Sequence, residues 1–194
     1  TWFQLTVAGP DRPLVMVHDV DAPLAGGDGQ SLATDTWACE IAAEAPLTRW
    51  REQASATAQA FTEPTAVNRR EAGSPTPVEV DLTWHTVGEP YHYGVATRYE
   101  VSTRVSGTIR VGDEVIDVDA PGQRAHTWGV RDWWAFGWCW SAGALEDGTR
   151  FHLSDIRFPR GSAGFGYRLA PDGRHTPASR ITATEQVDAV GFPV

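Results

Sequence analysis

Nine tryptophans are distributed over 194 residues, and five of them (Trp128, Trp133, Trp134, Trp138 and Trp140) fall between positions 128 and 140. Just ahead of and into this cluster runs Gly122-Gln123-Arg124-Ala125-His126-Thr127-Trp128-Gly129-Val130-Arg131-Asp132-Trp133-Trp134, too polar for a core and too aromatic for an ordinary loop. A histidine, two arginines and an aspartate beside indole faces could protonate an alkene, hold a carbonyl or stabilise a developing cation. They also have a purely structural use, because Arg131 can stack on tryptophan and pair with Asp132 or Glu100, closing one end of a barrel. Spacing by itself leans towards that second use.

The strand that follows presents Phe136, Trp138, Trp140 and Ala142 on one face and Cys139, Ser141 and Gly143 on the other. One face is thus an aromatic wall, which serves either as plain core or as the lining of a cavity for a ring, polyene or acyl chain. Glu146-Asp147-Gly148 is good hairpin-loop chemistry, and a three-residue turn there pairs residues whose numbers sum to 294. Ala142 then meets His152 and Trp140 meets Ser154, bringing His152 to the aromatic face.

Familiar catalytic signatures are missing: there is no G-x-S-x-G elbow, P-loop, G-x-G-x-x-G after a strand or H-E-x-x-H helix. His85 and His92 are separated by a turn and His18 and His175 are isolated, so no metal site is expected. No cofactor is expected either. Tyr91-His92-Tyr93 reads as a loop or pocket rim.

These residues must be positioned by strands. From Arg98 to Val111, Tyr99, Val101, Thr103, Val105, Ile109 and Val111 alternate with Arg98, Glu100, Ser102, Arg104 and Arg110, which predicts a long strand with one wet face. Gly112-Asp113 offers a tight turn, and Val115 to Ala120 returns to complete a hairpin. Val78, Val80, Leu82 and Trp84 alternate with Glu79, Asp81, Thr83 and His85 in another strand. Phe136 to Leu145 and Thr149 to Phe158 form the second hairpin. Further strands are expected at Trp2 to Val7, Leu14 to Asp19, Thr36 to Ala42 and Ile181 to Val190. The segment from Leu47 to Phe61 fits both periods and is read as strand. Loops are expected at Leu24 to Ser31, Thr62 to Pro77 and Pro159 to Ala163. Thr62 to Pro77 carries three prolines and the cluster Arg69, Arg70, Glu71, which suits a crossing between two half-domains or a lid.

The pattern therefore predicts an all-β, antiparallel fold of barrel or sandwich type, divided into residues 1–66 and 67–194. Twenty-five acids against 16 bases give a formal charge of −9, and every base is arginine, which argues against nucleic-acid or anionic-membrane partners. No run approaches the roughly 18 apolar residues of a membrane span. Cys39 and Cys139 lie inside apolar β-type runs and are expected to be small buried residues rather than a disulfide, in keeping with a cytoplasmic location. The chain opens on Thr1 and enters an apolar run at once, which fits a segment upstream of it.

Over residues 98 to 158, the Gly122–Trp134 motif, the Trp-x-Trp strand and the Asp-Gly-Thr hairpin resemble the AttH and hydroxyneurosporene synthase (carotenoid 1,2-hydratase) superfamily. Trp2-Phe3, Asp11-Arg12-Pro13 and Thr97-Arg98-Tyr99-Glu100 are compatible with the same group. The resemblance implies two packed lipocalin-like β-barrels, in a family whose members hydrate carotenoids, cyclise isoprenoid or polyketide chains, or carry lipids. Relatives commonly show Arg-Asp-His-Ser-Trp-Gly where this chain has Arg124-Ala125-His126-Thr127-Trp128-Gly129, so the family's acid is replaced by Ala125. Relatives are also usually longer than 194 residues.

Two functions follow as expectations. One is a Trp-lined pocket for an isoprenoid, polyketide or other lipophilic metabolite, with or without cofactor-free hydratase or cyclase chemistry. Its candidate catalytic residues are His126, Asp132 and Arg131. Trp128, Trp133, Trp138, Trp140, His152, Arg124 and Tyr99 are its candidate ligand contacts. If it reacts, His126 is the first candidate acid, with Asp132, Asp155 or Glu100 replacing the lost family carboxylate. The other is a non-catalytic structural or interaction protein with a tryptophan-packed core. Homo-oligomerisation is left open.

Overall fold

The computed structural model describes residues 2–23, 30–94, 96–130, 132, 135–189 and 191. The described residues are built of antiparallel strands, with one short 3-10 turn at Pro64–Val67. The strands are β1 (Phe3–Val7), β2 (Leu14–Asp19), β3 (Gln30–Ala33), β4 (Trp37–Ala45), β5 (Arg49–Phe61), β6 (Ser74–Thr86), β7 (Tyr91–His92), β8 (Arg98–Val111), β9 (Glu114–Thr127), β10 (Gly137–Ala144), β11 (Arg150–Phe158), β12 (Gly161–Leu169) and β13 (His175–Pro177). One nine-stranded sheet runs β1-β2-β5-β6-β8-β7, with β3 joined through β4 to β5 and β9 joined to β8. The other sheet runs β10-β11-β12-β13.

The chain divides into two compact units. Unit 1 is Thr1–Trp84 with Val105–Asp119, and unit 2 is His85–Arg104 with Ala120–Val194. The division therefore falls within strands β6, β8 and β9, whereas the proline-rich segment 62–77, expected as the boundary, belongs to unit 1. Part of that expected loop is strand, because β6 begins at Ser74.

Unit 1 is organised by period-two burial. Val78, Val80 and Leu82 of β6 are buried while Glu79 is exposed, and Val15, Trp37, Cys39, Ala54, Ala58 and Val105 complete the core. Trp37 is anchored twice, stacking on Phe3 at 4.0 Å and donating its indole N–H to Asp19 Oδ2 at 2.9 Å. The segment Leu47–Phe61 is strand over Arg49–Phe61, as its Trp50-Glu52-Ala54 alternation predicts. Gly107 (φ +140°) lies against β6 so closely that a Cβ there would meet the Asp81 carbonyl oxygen at 2.1 Å.

Unit 2 contains both the motif strand and the tryptophan hairpin. The Leu145–Thr149 turn closes with Leu145 N–H on the Thr149 carbonyl at 2.8 Å, and Gly148 takes φ +82°. The register follows, with Trp140 opposite Ser154, Ala142 opposite His152 and Ala144 opposite Arg150.

Three expectations need correction. The strand expected to end at Ala120 runs on: β9 continues through Pro121 and the motif to Thr127. Residues 181–189 form no strand beyond an isolated bridge at Val187, while Gly161–Leu169, whose first three residues fall in the expected loop 159–163, is β12. Its three glycines conceal it from propensity, yet the packing requires a glycine at position 166, since a Cβ there would sit 2.1 Å from the His152 carbonyl oxygen. The third concerns β8, whose predicted wet face is dry at its start: Glu100 is 0% and Ser102 2% exposed. Both faces of β8 are covered there, which no single-strand pattern reveals.

Candidate functional site

The two faces of the β8 and β9 segments in unit 2 carry different polar clusters. Arg98, Glu100 and Ser102 alternate with Tyr99, and Gln123 and Thr127 alternate with Arg124 and His126.

On one face sits Glu100, buried and surrounded by donors. Arg98 Nε reaches its Oε1 at 2.7 Å, Trp140 Nε1 reaches the same oxygen at 3.1 Å, and Gln123 Nε2 reaches Oε2 at 3.0 Å. Arg98 Nη1 also donates to Thr127 Oγ1 at 3.1 Å, which fixes the fork on the carboxylate. Burying a carboxylate is costly unless its lone pairs are filled, and here three side chains fill them. Gln123 Nε2 lies 3.1 Å from the Tyr167 hydroxyl, and Tyr167 shares a 2.9 Å hydrogen bond with Ser102 Oγ.

His152 lies against this network without joining it as a cation. Its ring is fully buried, and desolvation holds its pKa below the ordinary imidazole value, with Glu100 pulling the other way. Nε2 shares a hydrogen bond with the Tyr93 hydroxyl and stands 3.8 Å from Glu100 Oε1. Nδ1 has no hydrogen bond of ordinary geometry, and only the Ser141 backbone favours a proton on that side. Burial raises the pKa of both Tyr93 and Tyr167, so both remain phenols. The rings of Trp140, Tyr93 and Tyr167 lie 5.5, 5.8 and 5.8 Å from that of His152.

Over the network opens a cleft of about 330 Å³ lined by Ser102, Pro121, Gly122, Gln123, Trp140, Ala142, Gly143, Ala144 and Arg150. Six of these nine residues are apolar or glycine, and Ser102, Gln123 and Arg150 supply the polar groups. A larger, more open depression of about 590 Å³ lies in unit 1, but Glu40, Gln53, Glu79, Asp81 and Arg110 make its lining strongly polar. A narrower opening, a mostly apolar lining and few polar groups favour the cleft of unit 2 as the binding site.

The opposite face carries much of the motif that the sequence offers as a reactive mouth. Arg124 Nη1 donates to the Tyr99 hydroxyl at 2.9 Å, and the ring of His126 lies 5.5 Å from Tyr99 and 5.7 Å from Trp128. Burial and the Arg124 charge lower the His126 pKa. The structure thus brings Tyr99, Arg124, His126 and Trp128 together, and separately brings Trp140 and His152 together. It does not bring the first group into the cleft. Trp138 is 51% exposed and Asp132 is exposed, and neither lines the cleft. Arg131 and Trp133 lie outside the described residues. Asp155 is buried on β11, 3.6 Å from Arg157 Nε.

The residues that build the cleft's floor are mostly invisible to periodicity. Arg98-x-Glu100 is a usable signal, since positions two apart on a strand share a face and can pair. Tyr167 has none, because the glycines around it hide β12.

Cys39 and Cys139 are free thiols. Among the described residues, no group of three His, Cys, Asp or Glu side chains is placed to hold a metal ion, and no helix is long and apolar enough to cross a membrane.

No curated protein and no solved structure shows a match to the chain. A family model matches it from residue 1 to residue 194, and the chain accordingly belongs to the family described as a domain of unknown function, DUF7064.

Proposed function

We propose that the protein is a lipocalin-like binding module whose unit 2 cleft holds a small lipophilic molecule against Trp140. The observation that carries this reading is the cleft itself: about 330 Å³, within the range of small-molecule sites, walled by Trp140, Ala142, Ala144 and Pro121 over a polar floor. Trp140 is a wall of fixed position, because its indole N–H is bonded to Glu100. An indole held this way offers a rigid apolar face at little entropic cost.

Binding without turnover is the form of the reading that these contacts favour. Glu100 is committed to Arg98, Trp140 and Gln123, and His152 is neutral and covered, so neither presents a proton donor to the cleft. Hydratase or cyclase chemistry at His126 would require a substrate on the opposite face of β9.

The test is native mass spectrometry with solvent extraction on protein purified from its own host, alongside an Ala142→Phe variant that fills the cleft. The expected result is a lipophilic molecule on the wild type and none on the variant. A wild-type protein that carries nothing, and whose tryptophan fluorescence ignores a panel of lipophiles, would overturn the reading in favour of a structural role.

A further inference from the structure

We propose that the molecule held in the unit 2 cleft is an amphiphile with a carboxylate head, and that Arg150 binds that head; the inference rests on the cleft being the binding site. Arg150 is the single charged residue among those lining it. Its Nη1 donates to the Thr103 carbonyl, and no carboxylate lies within ion-pair distance of it among the described residues. Burial lowers its guanidinium pKa, and the neighbouring Arg104 cation adds to that while Tyr167 opposes it.

A half-buried arginine without a counter-charge is unusual in a chain with 25 acids and 16 bases. The acid nearest in the network, Glu100, is already saturated by Arg98, Gln123 and Trp140. A guanidinium stays protonated even when partly desolvated, so an anion entering the cleft meets a positive charge that no carboxylate has already neutralised. A carboxylate carries one charge and two oxygens in a plane that matches the guanidinium fork.

The strand register gives the ligand its direction. Ala144 pairs with Arg150 and Ala142 with His152, while Trp140 lies four residues from Ala144 on the same face of β10. At the rise of an extended strand that separation is about 13 Å. A head on Arg150 therefore leaves an apolar body running past Ala142 to end against Trp140.

The experiment is calorimetric titration of the full chain with sodium octanoate and with 1-octanol, for the wild type, Arg150→Gln and Arg150→Lys. The expected result is octanoate binding about tenfold more tightly than octanol to the wild type, a preference lost in Arg150→Gln and kept in part by Arg150→Lys. Should Arg150→Gln fail to fold, the wild type decides by salt, since added salt must weaken octanoate and leave octanol unchanged. Equal binding of the two compounds, or a preference that survives in Arg150→Gln or ignores salt, overturns the carboxylate head and leaves the cleft standing. Failure of both compounds to bind the wild type overturns the cleft as well.

Discussion

Trp140 of β10 gives its indole N–H to Glu100 Oε1 of β8 at 3.1 Å, so the wall of the cleft is bonded to the buried carboxylate beneath its floor. The same carboxylate neutralises Arg98 and orients Gln123, which in turn meets Tyr167. One acid therefore fixes three strands and an aromatic wall.

Replacing Glu100 should consequently be severe. Glu100→Gln leaves the half-buried Arg98 without its counter-ion, and stability should fall by about 3 kcal/mol. Urea unfolding provides the measurement. The double variant Arg98→Met with Glu100→Gln should lose less than the two single losses added together, because no uncompensated charge remains. Strict additivity would show that the pair is not coupled.

His152 makes stability depend on pH in one direction. The unfolded ring titrates near its ordinary value of 6.5, and burial holds the folded ring lower. Between the folded and unfolded values the unfolded chain binds more protons. Stability is then complete above the unfolded value and declines on acidification below it, with a slope of at most about 1.4 kcal/mol per pH unit from this site. His126 acts with the same sign, so the contribution of His152 is isolated by comparing the wild type with His152→Gln. The variant should show a shallower acid slope in denaturant titrations at a series of pH values; an unchanged slope would mean that the ring is not held neutral.

Gly107 should tolerate no side chain. Its φ of +140° is a conformation that L-residues rarely adopt, and a Cβ would fall 2.1 Å from the Asp81 carbonyl oxygen, a backbone atom with no freedom to withdraw. Gly107→Ala is expected to lower stability by about 3 kcal/mol or more, among the largest losses from a single methyl group. A thermal midpoint within a few degrees of wild type would contradict this close approach.

The two thiols should label unequally. Burial, with a smaller contribution from Glu52, pushes the Cys39 thiol up to about 11, so it stays protonated at pH 8. Cys139 is half-buried on β10. Iodoacetamide on the native protein should add one carbamidomethyl group, located by peptide mass spectrometry at Cys139. Prompt modification of Cys39 would show that the unit 1 core opens readily.

How much of the fold and of the cleft is legible in the sequence depends on the range of each interaction. Turn chemistry and period-two alternation are local, so Gly112-Asp113 and Glu146-Asp147-Gly148 define two hairpins, and the length of the second turn suffices to place Ala142 opposite His152 and Trp140 opposite Ser154. The clean alternation of Val78, Val80 and Leu82 likewise marks the buried face of β6. What a strand cannot state about itself is what covers its other side. Glu100 and Ser102 read as solvated because they alternate with Tyr99 and Val101, yet Trp140, Gln123 and Tyr167, from three other strands, close over them. The same limit applies to Arg124 and His126: sequence puts them beside the tryptophans, and only β9 running on as a strand turns them to the face opposite Gln123. Composition, turns and register belong to the sequence because they depend on neighbours along the chain. The ionic floor of the cleft belongs to the tertiary structure, because a buried carboxylate is stable only where strands distant in sequence deliver its donors.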